Sequence, residues 1–179
     1  MNFIFRKAEL YDVKSLEELI VMSAKNINSD FYTSQEIESA LGKVWTVDKD
    51  LIRDKTYWVV ENEQEEMIGC GGWSKRKILF GKKSTHDETN EALNPMRDSA
   101  RIRAFFVHPD FKRMGIGRML LEKCEEEAKM VGFRSLELVA TLSGEKLYSA
   151  FGFVAQKEFE IDLGNGNTNK VVSMYKSLI

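Results

Sequence analysis

The stretch "FFVHPDFKRMGIGRMLLEKC", from Phe105 to Cys124, limits the folds open to this chain more than any other. Its first residues are apolar and end at His-Pro. Proline ends a strand because it has no N–H to donate to a sheet. A Gly-x-Gly follows, and apolar residues then recur at the spacing of an amphipathic helix. The stretch therefore predicts a strand, a short turn and a helix in succession.

The chemistry of this turn predicts a site for an anion. Gly115 and Gly117 have no Cβ, so a ligand can approach the backbone closely there. The first N–H groups of a helix have no partner within it, and the helix dipole adds partial positive charge. Lys112, Arg113 and Arg118 add full charges around the turn. Together these features favour one or more phosphate groups as the ligand.

The residues alone leave two interpretations of the turn open. A dinucleotide-binding G-x-G-x-x-G fingerprint fails because Leu120 stands at the third glycine, and residues 132–142 offer no acidic residue clearly placed for a ribose. A P-loop fails because no GK[ST] follows the glycines. The turn is then either a phosphate site of another kind or a glycine-rich turn with solvated charges.

The remaining patterns predict an α/β fold with a mixed sheet in a single domain over residues 1–179. The strand–helix–strand unit from Ala100 to Ala140 should be a right-handed parallel crossover. We expect helices after Asp12 as N-cap, after Thr33 or Ser34, within "DKDLIRD" and from Gly115 to Val131, where Gly132 is the C′ residue. A short helix capped by Ser143 should follow, through Ala150. The expected strands are Phe3–Ala8, "TYWVVEN", "EMIGCGGWSK", "ARIRAFFV", "RSLELVA" and a closing hairpin that turns at "GNGN".

Composition excludes several classes of function. Lys and Arg number 26 against 28 Asp and Glu, which argues against broad nucleic-acid binding. No apolar run reaches the roughly 18 residues of a membrane span, and the N-terminus does not resemble a signal peptide. Cys70 and Cys124 stand in no disulfide or metal-binding pattern. We therefore expect a cytoplasmic protein without a metal, nucleic-acid or membrane partner.

Two motifs resemble the GNAT superfamily of N-acyltransferases, which use acyl-coenzyme A. The family signature [Q/R]-x-x-G-x-[G/A] follows a strand that ends in V-x-P, and this chain has "VHPDFKRMGIGRMLL" with Lys112 at the first position. The second motif is a tyrosine shortly before Gly-Phe, which is Tyr148 in "LYSAFGFV". Thr141 stands where the family usually has Asn. The resemblance covers Ala100 to Val154 and extends more weakly toward the N-terminus.

The resemblance implies a mostly antiparallel GNAT-like sheet flanked by helices and a role for acetyl-CoA. The pantetheine arm would pair with the main chain of Phe106 and Val107, and the Val107 amide would stabilise the oxyanion. Tyr148 would protonate the departing thiolate. The acceptor would be a primary amine of a small molecule or peptide, which attacks directly in a ternary complex. The pyrophosphate would bind along Lys112, Arg113, Met114, Gly115, Ile116, Gly117 and Arg118.

The resemblance does not supply a general base. Many relatives carry a glutamate on the central strand, where this chain has Arg101 and Arg103. Deprotonation through water is therefore one alternative. A side chain of the long polar connection over residues 76–99, or His108 after the strand, is another. The candidate side chains are His86, Asp87, Glu88 and His108, and the candidate walls of an acceptor pocket are Phe31, Tyr32, Trp45 and Trp73.

Two further alternatives concern function and assembly. A coenzyme A-binding regulatory module without turnover would carry the same turn, although retention of Tyr148 favours an enzyme. The C-terminal hairpin is a candidate surface for a homodimer.

Overall fold

The computed structural model describes residues 2–81 and 91–179. The strands in this part of the chain are β1 (Ile4–Lys7), β2 (Tyr57–Glu61), β3 (Met67–Ser74), β4 (Ala100–Val107), β5 (Ser135–Thr141), β6 (Val154–Gly164) and β7 (Asn167–Ser177). The helices are α1 (Val13–Ile27), α2 (Ser34–Ala40), α3 (Lys49–Arg53), α4 (Ile116–Met130) and α5 (Glu145–Ala150). Short 3-10 turns span Leu10–Asp12 and Pro109–Phe111.

The described strands form one sheet in the order β1-β2-β3-β4-β5-β7-β6. Every neighbouring pair is antiparallel except β4 and β5, which α4 connects as the crossover helix. The predicted fold class, a mostly antiparallel mixed sheet with one parallel strand–helix–strand unit, is confirmed. The closing hairpin is confirmed as well, and its turn residues Asn165 and Gly166 both have positive φ.

Helices cover both faces of the sheet. Residues of α1, α2 and α3 form a buried cluster on one face, and α4 and α5 pack on the other. Successive side chains of β2 alternate between the two faces of the sheet. Val59 belongs to the cluster with α1, and Val60 packs with Ile116 and Leu120 of α4.

The predicted caps at the helix ends are confirmed at two positions and wrong at two, Asp12 and Ser143. The N-cap position of α5 is Gly144, and Ser143 makes no capping bond with any described residue. Thr33 caps α2 in a reciprocal arrangement with Glu36, and Gly132, at φ +100°, follows the end of α4. Asp12 does not cap α1. Its carboxylate instead accepts from the amide of Glu9 and pairs with Arg6, so it closes the preceding 3-10 turn. None of the helices that the structure describes is long and apolar enough to cross a membrane.

Candidate active site

A bulge at Ala104 bends β4 in the middle of the sheet. The register with β3 shifts between Cys70 and Gly72, so that Ala104 and Phe105 together lie opposite Gly71. Ala104 has φ +55°, in the left-handed region that a side chain disfavours. A bulge of this kind bends its strand and increases the local twist. The half of β4 that follows Ala104 therefore takes a new direction.

Past Arg101 and through the bulge, β4 and β5 are not paired and leave a cleft between them. Their pairing consists of Ala100 with Leu136 and Arg101 with Glu137, at the start of both strands. On its other side β5 pairs with β7 along its whole length, from Ser135 to Thr141. The later residues of β4 thus have β3 on one edge and the cleft on the other.

The amide of Val107 faces this cleft. The next residue, His108, donates its N–H to the Ile68 carbonyl on the β3 side at 2.8 Å. Because successive residues of a strand direct their N–H groups to opposite edges, the Val107 N–H points away from β3. Phe106 is the register partner of Cys70 and directs its own backbone groups toward β3. The sequence predicted main-chain contacts from Phe106 and Val107, and of these two residues Val107 presents its amide to the cleft.

The turn before α4 holds six consecutive amides without an acceptor. Met119 is the first residue of the helix whose N–H reaches a helical carbonyl, that of Gly115, at 3.0 Å. The N–H groups of residues 113–118 donate to no residue that the structure describes. Arg113 and Gly115 both have positive φ, at 64° and 83°, which curves the backbone around these donors. A run of free amides at a helix N-terminus is suited to bind an anion.

The positions of Gly115 and Gly117 are each suited to glycine for a different structural reason. A Cβ at Gly115 would meet nothing within 4 Å, but its φ of +83° favours glycine. A Cβ at Gly117 would lie 2.9 Å from Leu147 Cδ2 on α5. Gly117 therefore lets α5 pack against the start of α4. Its missing side chain faces that helix, which differs from the expectation that it leaves room for a ligand.

The cations around the turn are solvent-exposed. Lys112 and Arg113 pair with no described carboxylate, and Arg118 lies 3.0 Å from Glu122 one turn further along α4. Exposed charges of this kind contribute little individually, so they add long-range attraction to the amides. Met114 is also exposed, with 42% of its surface accessible.

Tyr148 of α5 lies against β4 at the bulge. Its ring makes edge contacts with Phe105 and Phe153, at centroid distances of 6.3 and 5.9 Å. The hydroxyl forms no hydrogen bond with any residue in the described ranges, so it is free to donate to a ligand. Burial raises the pKa of the Tyr148 phenol above its ordinary value, which keeps it protonated at neutral pH.

The turn that positions α5 begins at Thr141, the residue that stands where relatives usually have Asn. Its hydroxyl accepts from the Gly144 amide at 3.2 Å and bonds with Ser143 Oγ at 3.0 Å. Ser143 Oγ donates in turn to Asn28 Oδ1 at the end of α1. Thr141 is thus engaged in local structure that joins α5 to α1 across the end of the cleft.

The two arginines of β4 are both held in ion pairs. Arg103 is 4% exposed and donates to Asp48 Oδ2 at 3.2 Å and to the carbonyls of Ile78 and Gly81 at 2.8 and 2.5 Å. Arg101 pairs with Glu137 on β5. Arg103 therefore anchors the start of the long connection to the sheet, and β4 offers no free carboxylate.

His108 is poorly placed to accept a proton. Its Nδ1 accepts the amide of Asp110 at 3.2 Å, so the proton of a neutral ring lies on Nε2. The side chain lines a cavity of about 430 Å³ that Arg6, Asp12 and Glu61 also line, and neither Val107 nor Tyr148 borders it. The other candidate bases, His86, Asp87 and Glu88, lie outside the described residues.

The aromatic residues proposed as acceptor-pocket walls lie in different places. Tyr32 and Trp45 are buried on the α1 side in an edge contact at 5.8 Å, and Phe31 is 49% exposed. Trp73 lies on the opposite face, where its indole N–H donates to Glu127 of α4 at 2.8 Å. Trp73 is thus separated from the other three by the sheet.

Two glycines in β3 position the elements of the site, and sequence reasoning missed them. A Cβ at Gly69 would lie 2.7 Å from Ile116, the first residue of α4. A Cβ at Gly71 would lie 2.7 Å from the ring of Phe105. The signal was present as "GCGG" within a strand, because glycine in a strand interior marks a close approach.

Comparison with known families identifies the chain. A model of the acetyltransferase (GNAT) domain matches residues 53–155, which is more than half of the sequence. The chain belongs to the GNAT acetyltransferase family. It is an acetyl-CoA-dependent acetyltransferase. No curated protein sequence matches it with significant similarity.

Solved structures share this GNAT fold at low sequence identity. A GCN5-related N-acetyltransferase of Rhodopseudomonas palustris is 18% identical with a TM-score of 0.73, over 99% of this chain and 97% of the other. PaiA N-acetyltransferase of Thermoplasma acidophilum, in complex with coenzyme A, is 16% identical with a TM-score of 0.64, over 99% of both chains. YncA of Salmonella typhimurium, with its cofactor acetyl-CoA, is 16% identical with a TM-score of 0.63, over 100% and 95%.

Proposed function

We propose that residues 1–179 form one domain that transfers an acetyl group from acetyl-CoA to a primary amine of a small molecule or peptide. The amine attacks the thioester directly while both substrates are bound. One observation carries this proposal. The free amides of residues 113–118 continue the open edge of β4, and the unbonded Tyr148 hydroxyl lies beside the same strand.

The described residues fit coenzyme A along its length. The amides of residues 113–118 would hold the pyrophosphate, with Lys112 and Arg113 adding attraction. The exposed edge of β4 at Val107 offers main-chain groups to the amides of the pantetheine arm. This arrangement uses the backbone, which agrees with the free donors and with the glycine at position 115.

The Val107 amide is suited to stabilise the oxyanion. When nitrogen attacks the thioester carbonyl, negative charge collects on the carbonyl oxygen, and a fixed N–H donor lowers the barrier by stabilising that charge. Val107 is held rigidly by the neighbouring bond from His108 to Ile68. Its N–H needs little reorganisation to meet the developing charge.

Tyr148 is suited to protonate the leaving thiolate. As the C–S bond breaks, the electron pair goes to sulfur, and a thiol of pKa near ~8.5 is a better leaving group when it receives a proton. The phenol keeps its proton at neutral pH because burial raises its pKa. It is free to donate because it has no hydrogen-bond partner among the described residues.

The acceptor loses its proton to water in this proposal. An alkyl ammonium has a pKa near ~10, so one proton must leave before the nitrogen can attack. The described part of β4 presents Arg101 and Arg103, which are both ion-paired, and no carboxylate. His108 offers no free lone pair as a neutral ring. Water is then the proton acceptor.

Binding and turnover are tested in sequence. Calorimetry with acetyl-CoA measures the first, and release of free thiol with a panel of amines measures the second. The panel contains a polyamine, an aminoglycoside, an amino acid and peptides with free N-terminal or lysine amines. No acetyl-CoA binding would refute the site. Binding without thiol release from any amine would favour a regulatory module. Sedimentation of the same sample tests the C-terminal hairpin as a dimer surface.

A further inference from the structure

We propose that Tyr57 is a positioning residue for acetyl-CoA, because its hydroxyl holds the carbonyl of Ala104 and thereby fixes the bulge that opens the cleft. This inference rests on the proposed function, since it assumes that the cleft beside β4 takes the pantetheine arm. Tyr57 belongs to β2, two strands from the cleft, and touches no part of the proposed ligand path.

The bulge leaves the carbonyl of Ala104 in need of a hydrogen-bond donor from outside the β3–β4 ladder. Ala104 and Phe105 share one opposing residue on β3, so the ladder of hydrogen bonds is interrupted there. The carbonyl of Ala104 is directed out of the ladder and toward the buried α1 face. A buried carbonyl without a donor costs free energy, and the positive φ of Ala104 adds strain. Something outside the ladder must stabilise this conformation.

The Tyr57 hydroxyl supplies the donor. Tyr57 is fully buried, and its oxygen lies 2.9 Å from the Ala104 oxygen and 3.2 Å from Cys70 Sγ. Its single proton goes to the carbonyl, which is a stronger acceptor than a thiol. Burial raises the pKa of the Cys70 thiol to about 12, so Cys70 stays protonated and can donate to the tyrosine oxygen. The three groups form a short buried network.

Gly72 makes this contact sterically possible. The strand β3 lies between β2 and β4, so the phenol of Tyr57 must cross β3 to reach the bulge. Gly72 is the register partner of Tyr57, and a Cβ there would lie 2.7 Å from Tyr57 Cδ2. The absence of a side chain at Gly72 therefore leaves the path of the ring open.

The bulge controls two groups of the proposed site at once. The Val107 amide follows Ala104 by three residues on the same rigid strand, so a change at the bulge redirects it. The adjacent Phe105 ring contacts Tyr148 at 6.3 Å and positions the proposed acid. The phosphate-binding turn, in contrast, starts after Pro109 and is organised by its own local bonds. Loss of the hydroxyl should therefore affect the pantetheine end of the ligand and spare the phosphate end.

The experiment compares two ligands in Tyr57→Phe. Coenzyme A contacts both parts of the site, and its nucleotide half, 3′-phospho-ADP, contacts only the phosphate-binding turn. Calorimetry should show coenzyme A weakened by about five- to tenfold, the loss of one hydrogen bond, with 3′-phospho-ADP within about twofold of the parent. Thr56→Val is the matched control, because it removes another buried hydroxyl bond, to Leu51, at the neighbouring residue. It should leave both ligands within about twofold.

A second variant tests whether the hydroxyl acts through the bulge. Glycine adopts positive φ without strain, so Ala104→Gly combined with Tyr57→Phe should restore coenzyme A affinity to within about threefold of the parent. The inference is overturned if Tyr57→Phe binds coenzyme A like the parent, if 3′-phospho-ADP weakens equally, or if Ala104→Gly restores nothing. A parent protein that binds 3′-phospho-ADP and coenzyme A equally well would instead refute the proposed pantetheine site.

Discussion

Replacement of Tyr148 by phenylalanine should lower the rate of catalysis and leave the stability of the fold unchanged. The hydroxyl has no hydrogen-bond partner among the described residues, so its removal breaks no intramolecular bond. The ring contacts with Phe105 and Phe153 persist. We therefore expect the free energy of unfolding to change by less than about 0.5 kcal/mol. Loss of a general acid should lower kcat by about 10²–10⁴, with acetyl-CoA affinity unchanged.

The assay combines thiol release at saturating substrates, calorimetry with acetyl-CoA and chemical denaturation. Tyr175→Phe is the control, because that side chain lies on β7 with 39% exposure and its kcat should stay at the parent value. Tyr148→Ala provides the contrast. It removes two ring pairs, each worth about 0.5–1.5 kcal/mol, so unfolding should become easier by about 1–3 kcal/mol.

The pH dependence gives an independent check on the same residue. Because burial raises the pKa of Tyr148, the parent should show no alkaline fall in kcat from this group between pH 6.5 and about 9.5. Tyr148→Phe should leave the acidic limb in place. Full turnover by Tyr148→Phe on the true acceptor would remove this residue from the mechanism. A large loss of stability in the same variant would show that the hydroxyl has a structural partner.

Three other substitutions test the remaining parts of the site and fold. Gly115→Ala should cost about 1–2 kcal/mol in strain and weaken coenzyme A by at least about tenfold, whereas Gly166→Ala, at a similar φ of +76°, should cost stability alone. Burial raises the pKa of Asp12, but its hydrogen bonds with Arg6 and with the Glu9 amide outweigh burial and hold the pKa below its ordinary value. The contribution of ionised Asp12 to the free energy of unfolding is therefore present above pH ~4 and lost as the pH falls. Chemical denaturation should show Asp12→Asn less stable by about 1–3 kcal/mol at pH 7, and the stability of this variant should fall less steeply in acid than that of the parent. His108→Ala should lower kcat/KM by less than about tenfold, and a hundredfold loss with intact acetyl-CoA binding would contradict the water route.

Much of the fold was predictable because its signals are local. Pro109 ends a strand through its own missing N–H, and Gly132 ends α4 through its own φ. The free amides of the turn before α4 were likewise predictable, since they follow from the start of a helix. Such features depend on a few neighbouring residues and are visible in the sequence that encodes them.

The shape of the cleft was not predictable because it depends on distant partners. The bulge at Ala104 arises from the register of β4 on β3, and "ARIRAFFV" contains no residue that marks it. The contact from Tyr57 spans three strands, and its sequence separation from Ala104 is 47 residues. The face on which Trp73 lies could not be read from the sequence, because periodicity along one strand does not say which helix covers which side.

The glycines of β3 should make this strand sensitive to mutation although none of its residues is proposed to take part in the chemistry. A methyl group at Gly69, Gly71 or Gly72 would meet its neighbour at 2.5–2.8 Å, so even alanine must displace something. The neighbours are the start of α4 at Gly69, the ring at the bulge at Gly71 and, at Gly72, the Thr56 carbonyl and the phenol that holds the bulge. A deep mutational scan should therefore show three intolerant positions in a strand with no reacting group. Engineering that aims at a different acyl group could begin here, since small shifts of this strand change the width of the cleft and leave its chemistry in place.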